Sequence, residues 1–203
     1  MVRAQSTIIG FILITAMAVI LVSLTLFWAR PLIDRAQDQQ EVLRLEQKML
    51  ELHDAIKTVA SEQGSLSIPF DINRGFLSLI ATNNTINYQG QFDIQYPVST
   101  KLVFGNNTIP TNTTILSAAE IVPLGVEEPA YMYKQGAIEF NLHYRIVNNS
   151  GACHRIKLAP GDQSTAGIGR HVIKLTWLNE TIVGSPPTNC SNLTDQVVKF
   201  EVR

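Results

Sequence analysis

The chain is predicted to fold as α+β, a long N-terminal helix followed by an antiparallel β-sandwich head, and three observations carry that prediction. The first is an uncharged run of 23 residues from Thr7 to Ala29, TIIGFILITAMAVILVSLTLFWA. The second is an apolar stripe at helical spacing in the charged segment after it. The third is a switch beyond Gly64 to short β-branched and aromatic segments separated by Asn, Gly, Pro and Thr. With 203 residues, 45% hydrophobic and 16% charged, the chain has room for one mid-sized domain plus an appended segment. Its 16 basic and 17 acidic residues leave a formal charge of -1, which offers no footprint for a phosphate backbone, so no nucleic-acid partner is expected.

At about 1.5 Å per residue, a helix over the uncharged run reaches about 35 Å, enough to cross the hydrocarbon core of a bilayer. Arg3 and Arg30 bracket the run, and Phe27 with Trp28 stand where an aromatic belt anchors its outer end. A secretory signal peptide has a shorter apolar core and small residues before its cleavage site. Here bulky Phe27 and Trp28 precede Ala29, so residues 5–30 are expected to stay as a spanning helix. Ile8, Gly10, Leu13, Ala16 and Leu21 are its candidate packing positions, and the small Gly10, Ala16 and Ala18 suit close helix approach.

A kink or fresh start is expected at Arg30-Pro31, because proline lacks the amide donor and its ring crowds the preceding turn. Residues 31–63 then read as an amphipathic helical extension. Between Asp34 and Gln63, 11 of 30 positions are charged and glycine and proline are absent, so this helix is soluble. Val42, Leu45, Met49, Leu52, Ile56 and Val59 step by three and four and share one face. Glu41 with Arg44, Lys48 with Glu51, and Asp54 with Lys57 stand three apart, adding about a few tenths of a kcal/mol each. The stripe covers fewer than three heptads and Arg35 and Asp38 interrupt it upstream, so docking onto a downstream sheet or neighbouring subunits is expected over a free coiled coil.

Residues 64–203 form the head. Strand segments are Gln91 to Tyr96, Lys101 to Phe104, Ala137 to Val147, His154 to Leu158, His171 to Leu178 and Val197 to Val202, with Phe76 to Ala81 a shorter strand candidate. In Ala137 to Val147, Ile138, Phe140, Leu142, Tyr144 and Ile146 alternate with Glu139, Asn141, His143 and Arg145, which predicts a half-buried strand. Irregular strand spacing with no helical period between strands points to a sandwich rather than βαβ units.

The head balances 10 acidic against 10 basic residues and draws its polar surface from Asn, Thr and Ser. Asn-x-Ser/Thr sequons begin at Asn83, Asn106, Asn112, Asn148, Asn179, Asn189 and Asn192, where about two of the chain's 13 asparagines would do so by chance. The excess favours an extracytoplasmic, glycosylated face; the alternative is that Asn and Thr are simply turn residues. Cys153 and Cys190, with 36 residues between them, allow one disulfide pairing. Outside the cytoplasm it would restrict the unfolded chain by roughly 4 kcal/mol in loop entropy, the alternative being two separate buried thiols.

No catalytic, cofactor-binding or metal-ligating residues are assigned, no cofactor is expected, and the chain does not read as an enzyme. His53 lies on the charged helix and His143, His154 and His171 lie on strands, without HxH or HExxH spacing. GxSxG, P-loop and GxGxxG motifs are all missing, and Gly161 to Gly169 (GDQSTAGIG) lacks the lysine of a phosphate loop and reads as a flexible hairpin connection. Glu127 and Glu128 beside Pro129 form a small acidic spot that reads as a solvated loop, the alternative being a cation contact.

What precedes the apolar run is the most informative motif. Met1-Val2-Arg3-Ala4 is a short basic leader, followed by Gln5-Ser6-Thr7 and then the helix. This order resembles an archaeal type IV pilin, or pilin-like protein, with a class III (prepilin-type) signal peptide. The resemblance covers roughly the first 60 residues. It implies cleavage between Ala4 and Gln5 by a prepilin peptidase, removing residues 1–4 and keeping the apolar helix as the assembly element. Ile9 stands where bacterial pilins carry a glutamate, so the bacterial form of the family fits less well. The resemblance further implies a structural subunit, major or minor, of a cell-surface filament serving adhesion or surface contact. It would be a single-pass membrane protein with its head outside before assembly, and the pilus assembly machinery would extract it to self-associate through the N-terminal helix. Surface-layer or carbohydrate contact is the further partner class. The alternative is an uncleaved, membrane-anchored accessory protein, resembling the stator components of the archaellum motor, whose β-sandwich binds the surface layer.

Overall fold

The computed structural model describes residues 2–90, 92, 101–104, 121–123, 130–135, 139–183 and 190–203. Helix α1 spans Val2–Glu62. The described strands are β1 (Ser65–Ile72), β2 (Phe76–Ile80), β3 (Thr85–Gln89), β4 (Lys101–Phe104), β5 (Ile121–Pro123), β6 (Ala130–Gln135), β7 (Glu139–Tyr144), β8 (Ile146–Asn149), β9 (Ala152–Pro160), β10 (Thr165–Ala166), β11 (Gly169–Val183) and β12 (Asn192–Val202), with a 3₁₀ turn at Ala81–Asn83. This is the α+β class read from the sequence. The chain divides into two compact units, Met1–Val42 and Leu43–Arg203.

No break occurs at Pro31, which lies inside α1. A helical proline forfeits one hydrogen bond, here to the Phe27 carbonyl, at a cost of about 3 kcal/mol. The strong helix formers on either side carry the helix through it. Its end lies where the sequence places it: Gln63 takes left-handed backbone (φ 56°) and Gly64 follows.

The strands build two six-stranded sheets, ordered β1-β11-β12-β9-β8-β5 and β10-β2-β3-β7-β6-β4. The second is antiparallel throughout, whereas the first is mixed, with parallel β12–β9 and β5–β8 pairs. Topology explains the first of these. The β8–β9 hairpin turns at Ser150 and Gly151, both at positive φ (50° and 95°), as a two-residue hairpin requires. After β9 the chain leaves for β10 in the second sheet, returns as β11, and doubles back as β12 between β11 and β9. The Gly161 to Gly169 segment is therefore a clasp rather than a flexible connection. Ser164 O accepts the Leu79 amide of the second sheet (3.0 Å), and Gln163 O accepts the Val202 amide of the first (2.8 Å). Among the described strands β1 pairs with β11 alone, and its Pro69, which has no amide to donate, sits on this edge strand where no ladder bond is lost.

Burial along β12 inverts. Leu193, Asp195 and Val197 are buried on one face, then Val198, Phe200 and Val202 on the other, so adjacent Val197 and Val198 are both enclosed. Because side chains alternate across a strand, the first sheet has opposite faces covered at its two ends. One end faces the main core with Ile68, Phe70, Ile72, Ile173 and Leu175. At the other, Ile146, Cys153 and Leu193 form a smaller core with Cys190 against it.

Strand β7 corrects the half-buried expectation. Phe140, Leu142 and Tyr144 are buried on one face, yet Asn141 and His143 on the other are at most 3% exposed, and Arg145, between β7 and β8, is 1% exposed. The alternation is real, but it separates an apolar from a polar interior. In the polar layer Asn87 Nδ2 donates to Asn141 Oδ1 (2.8 Å) and Glu139 Oε1 (2.6 Å), and Asn141 Nδ2 donates to the same Oε1 (3.1 Å). Such pairing makes buried amides tolerable.

Candidate assembly surface

The N-terminal part of α1 is long and apolar enough to cross a membrane, and none of its most apolar 18-residue window is buried. Thirteen large apolar side chains from Phe11 to Trp28 are each more than half exposed, Leu13 at 60% and Leu21 at 65% among them. A Cβ placed on Gly10 meets no atom, and Ala16 is exposed. Two hydroxyls within this apolar segment are satisfied locally. Thr15 Oγ1 donates to the Phe11 and Ile12 carbonyls (3.0 Å each), and Thr25 Oγ1 donates to Leu21 O (2.6 Å). Such back-bonding removes the need for an outside polar partner. Ala4, Gln5 and Ile8 lie in the first turns of α1, where only the backbone is described.

The stripe behaves differently. Val42, Leu45, Met49, Leu52, Ile56 and Val59 are all at most 2% exposed. Asp38, four residues before Val42, continues the same face and is itself 2% exposed, so the acid that interrupts the apolar pattern does not interrupt the burial. The helix is docked rather than free: His53 Nδ1 lies 3.0 Å from the Tyr144 hydroxyl of β7, and Arg44 reaches Asp71 of β1 at 3.6 Å. Burial, with Asp54 nearby adding to it, pushes the Tyr144 hydroxyl well above the usual tyrosine range.

Cys153 and Cys190 are bonded, with Cα atoms 5.7 Å apart. Two further anchors went unread in the sequence. Asn84, second residue of the Asn83 sequon, takes left-handed backbone (φ 54°) and is 2% exposed. Its Nδ2 donates to Tyr144 O (3.2 Å) and Ile156 O (2.7 Å), and its Oδ1 accepts the Leu158 amide (2.7 Å), tying β7 of one sheet to β9 of the other. Its signal was an asparagine in a turn, which a sequon count absorbs without trace. Asp195, also 2% exposed, accepts hydrogen bonds from Arg155 Nε (3.0 Å) and Nη2 (2.9 Å), with Lys157 at 3.9 Å. Only the cross-strand register brings Asp195 opposite Arg155.

Of the sequon asparagines, Asn179 and Asn192 are exposed and Asn83 and Asn148 half-buried; Asn106, Asn112 and Asn189 lie outside the described residues, as do Glu127 and Glu128. The Asn83 segment is not the free surface turn expected. Its Thr85 is 1% exposed, and Thr85 Oγ1 sits 2.8 Å from His143 Nδ1 and donates to Asn83 O (3.0 Å). Asn148 Oδ1 accepts the Gly151 amide within its hairpin (2.8 Å).

Among the described residues no three His, Cys, Asp or Glu side chains gather closely enough to hold a metal ion. A cleft of about 420 Å³ opens between Arg44, Asp71, Ile168 and Arg170, and its one described carboxylate is already paired with Arg44. The chain matches no protein-family model, no curated protein and no solved structure.

Proposed function

We propose that the chain is a structural subunit, major or minor, of a surface filament of the archaeal type IV pilus kind, made for adhesion or surface contact. One observation carries this reading: the thirteen large apolar side chains from Phe11 to Trp28 that none of the described residues covers. At roughly 1–2 kcal/mol for each partly exposed side chain, leaving them in water costs on the order of 20 kcal/mol, more than the 5–15 kcal/mol that holds a typical domain together. The segment therefore belongs in an apolar medium. A bilayer supplies it before assembly, and the equivalent helices of neighbouring subunits supply it in a filament. The Cys153–Cys190 bond supports a head outside the cytoplasm, where disulfides persist. In this reading a prepilin peptidase removes residues 1–4, and assembly machinery transfers the helix from lipid to the filament core.

The test is the N-terminus and intact mass of the protein from native membranes and from sheared surface material. A start at Gln5 in the sheared fraction supports a processed filament subunit. An intact leader confined to membranes supports instead the uncleaved, surface-layer-binding anchor. Leu21→Asp places a charge in the apolar segment, and normal filaments from that variant would overturn the assembly role.

A further inference from the structure

Sequons are common in surface turns, so the informative question is what the fold does with each. Asn192 opens β12, and the register of β12 against β11 (Thr181 with Gln196, Val183 with Thr194) places Asn192, Thr194 and Gln196 on one face of the first sheet. All three are exposed, while Leu193 between them is 4% exposed and holds the strand to the small core. Asn192 and the Thr194 that completes its sequon thus project together to solvent. Asn179 lies on the same sheet at a register shift between Trp177 and Thr181, where β11 carries residues with no partner on β12. Asn179, within that bulge of the 15-residue strand, is exposed. Asn192, Thr194 and Gln196 are uncharged, whereas the opposite face of the sheet carries Asp195 with Arg155 and Lys157 at this end and Lys174, Lys199 and Glu201 at the far end.

We infer that Asn179 and Asn192 are N-linked glycosylation sites and that the face of the first sheet presenting Asn192, Thr194 and Gln196 is carbohydrate-covered at this end. The inference rests on the extracytoplasmic head proposed above. The donor class is an oligosaccharide carried on a polyprenyl phosphate. Asparagine Nδ2 forms a bond to the anomeric carbon of the first sugar, the bond from that carbon to the phosphate oxygen breaks with its electron pair leaving on the lipid phosphate, and the amide proton passes to a base of the transferase. Asn83 is the internal contrast. Its sequon hydroxyl, on Thr85, is enclosed and engaged with His143 Nδ1, so the folded head withholds it from a transferase.

The experiment is glycopeptide mass spectrometry on the full chain isolated from its native membranes or filaments, with the Cys153–Cys190 linkage scored in the same digest. The expected result is a carbohydrate increment on the peptides holding Asn179 and Asn192. Asn179→Gln abolishes the first, Thr194→Ala abolishes the second while leaving Asn192 in place, and Thr194→Ser retains it. Bare Asn179 and Asn192 in molecules whose disulfide is formed would overturn the inference alone, since the oxidised bond reports a head that reached the right compartment. Bare asparagines with both cysteines reduced would overturn the extracytoplasmic reading and this inference with it. Modification of Asn83 in preference to the other two would overturn the selection by exposure.

Discussion

Leucines in the two parts of α1 should respond oppositely to the same substitution. Leu52 is fully buried and Leu21 is 65% exposed. Leu52→Ala removes three carbons from the interior, about 2.4 kcal/mol at about 0.8 kcal/mol per methylene, and the cavity left behind raises the cost to about 2–5 kcal/mol. For a domain of this size each kcal/mol lowers Tm by about 2–4 °C, so the melting of the head should fall by about 5–15 °C. Leu21→Ala should change it by less than about 0.5 kcal/mol, because that side chain is mostly exposed. The assay is thermal unfolding of the full chain in a mild detergent, followed by near-ultraviolet circular dichroism. Leu52→Ala within 0.5 kcal/mol of the parent, or Leu21→Ala as damaging as Leu52→Ala, would refute the division of the helix into an internally buried stripe and an outward-facing apolar surface.

Three further outcomes follow from the head. Asn84→Ala removes three hydrogen bonds and puts alanine, which tolerates left-handed backbone less well than asparagine, at that position, costing about 3–4 kcal/mol by urea titration, whereas Asn84→Gly, which relieves the backbone, should cost less. Arg155→Ala leaves the Asp195 carboxylate buried with only the more distant Lys157, so a loss of about 3–5 kcal/mol is expected; Asp195→Asn in the same chain should recover part of it, and a purely additive double variant would count against the pairing. For Tyr144 the folded pKa is raised above the ordinary value of 10.0, so the unfolded chain releases its proton first and stability falls as pH rises above about 10. Tyr144→Phe should flatten that alkaline limb in unfolding free energies measured between about pH 9 and 11.5, and an unchanged limb would assign it to other groups.

The sequence read best where one periodicity met one environment. The uncharged run, the stripe from Val42 to Val59 and the strands around His171 to Leu178 and Val197 to Val202 each carry a single repeating signal, and the structure places them as those signals imply. It read poorly where the environment was two-sided. In β7 the alternation of Phe140, Leu142 and Tyr144 with Asn141 and His143 has the form of a solvated strand, and only the partners Asn87, Thr85 and Glu139, more than fifty residues away or on the same strand, reveal that the polar side is interior. Parallel pairing of β9 with β12 was likewise invisible, because direction depends on the detour through β10 and not on local composition. The disulfide partners were legible only because the chain has two cysteines and hence one pairing.

The boundary between the compact units bears on what must be kept together. Residues 31–63 read in the sequence as an extension separate from a head at 64–203, yet the second unit starts at Leu43, inside the helix. Leu45, Met49, Leu52, Ile56 and Val59 are then part of the head's own core, each at most 2% exposed. At about 1.5–3 kcal/mol for each fully buried side chain, these five contribute roughly 8–15 kcal/mol, the same size as the net stability of a whole domain. A fragment from Gly64 to Arg203 would lose all of it and bare the strand residues the helix covers, Tyr144 among them. A fragment beginning at Leu43 keeps the stripe from Leu45 to Val59 and omits the exposed apolar run. The longer fragment should therefore be a soluble, cooperatively melting protein with its Cys153–Cys190 bond formed, and the shorter one should aggregate or remain unfolded under the same conditions. A well-folded Gly64 fragment would show that the sheets close without the helix and that the stripe is held there for a neighbour rather than for the head.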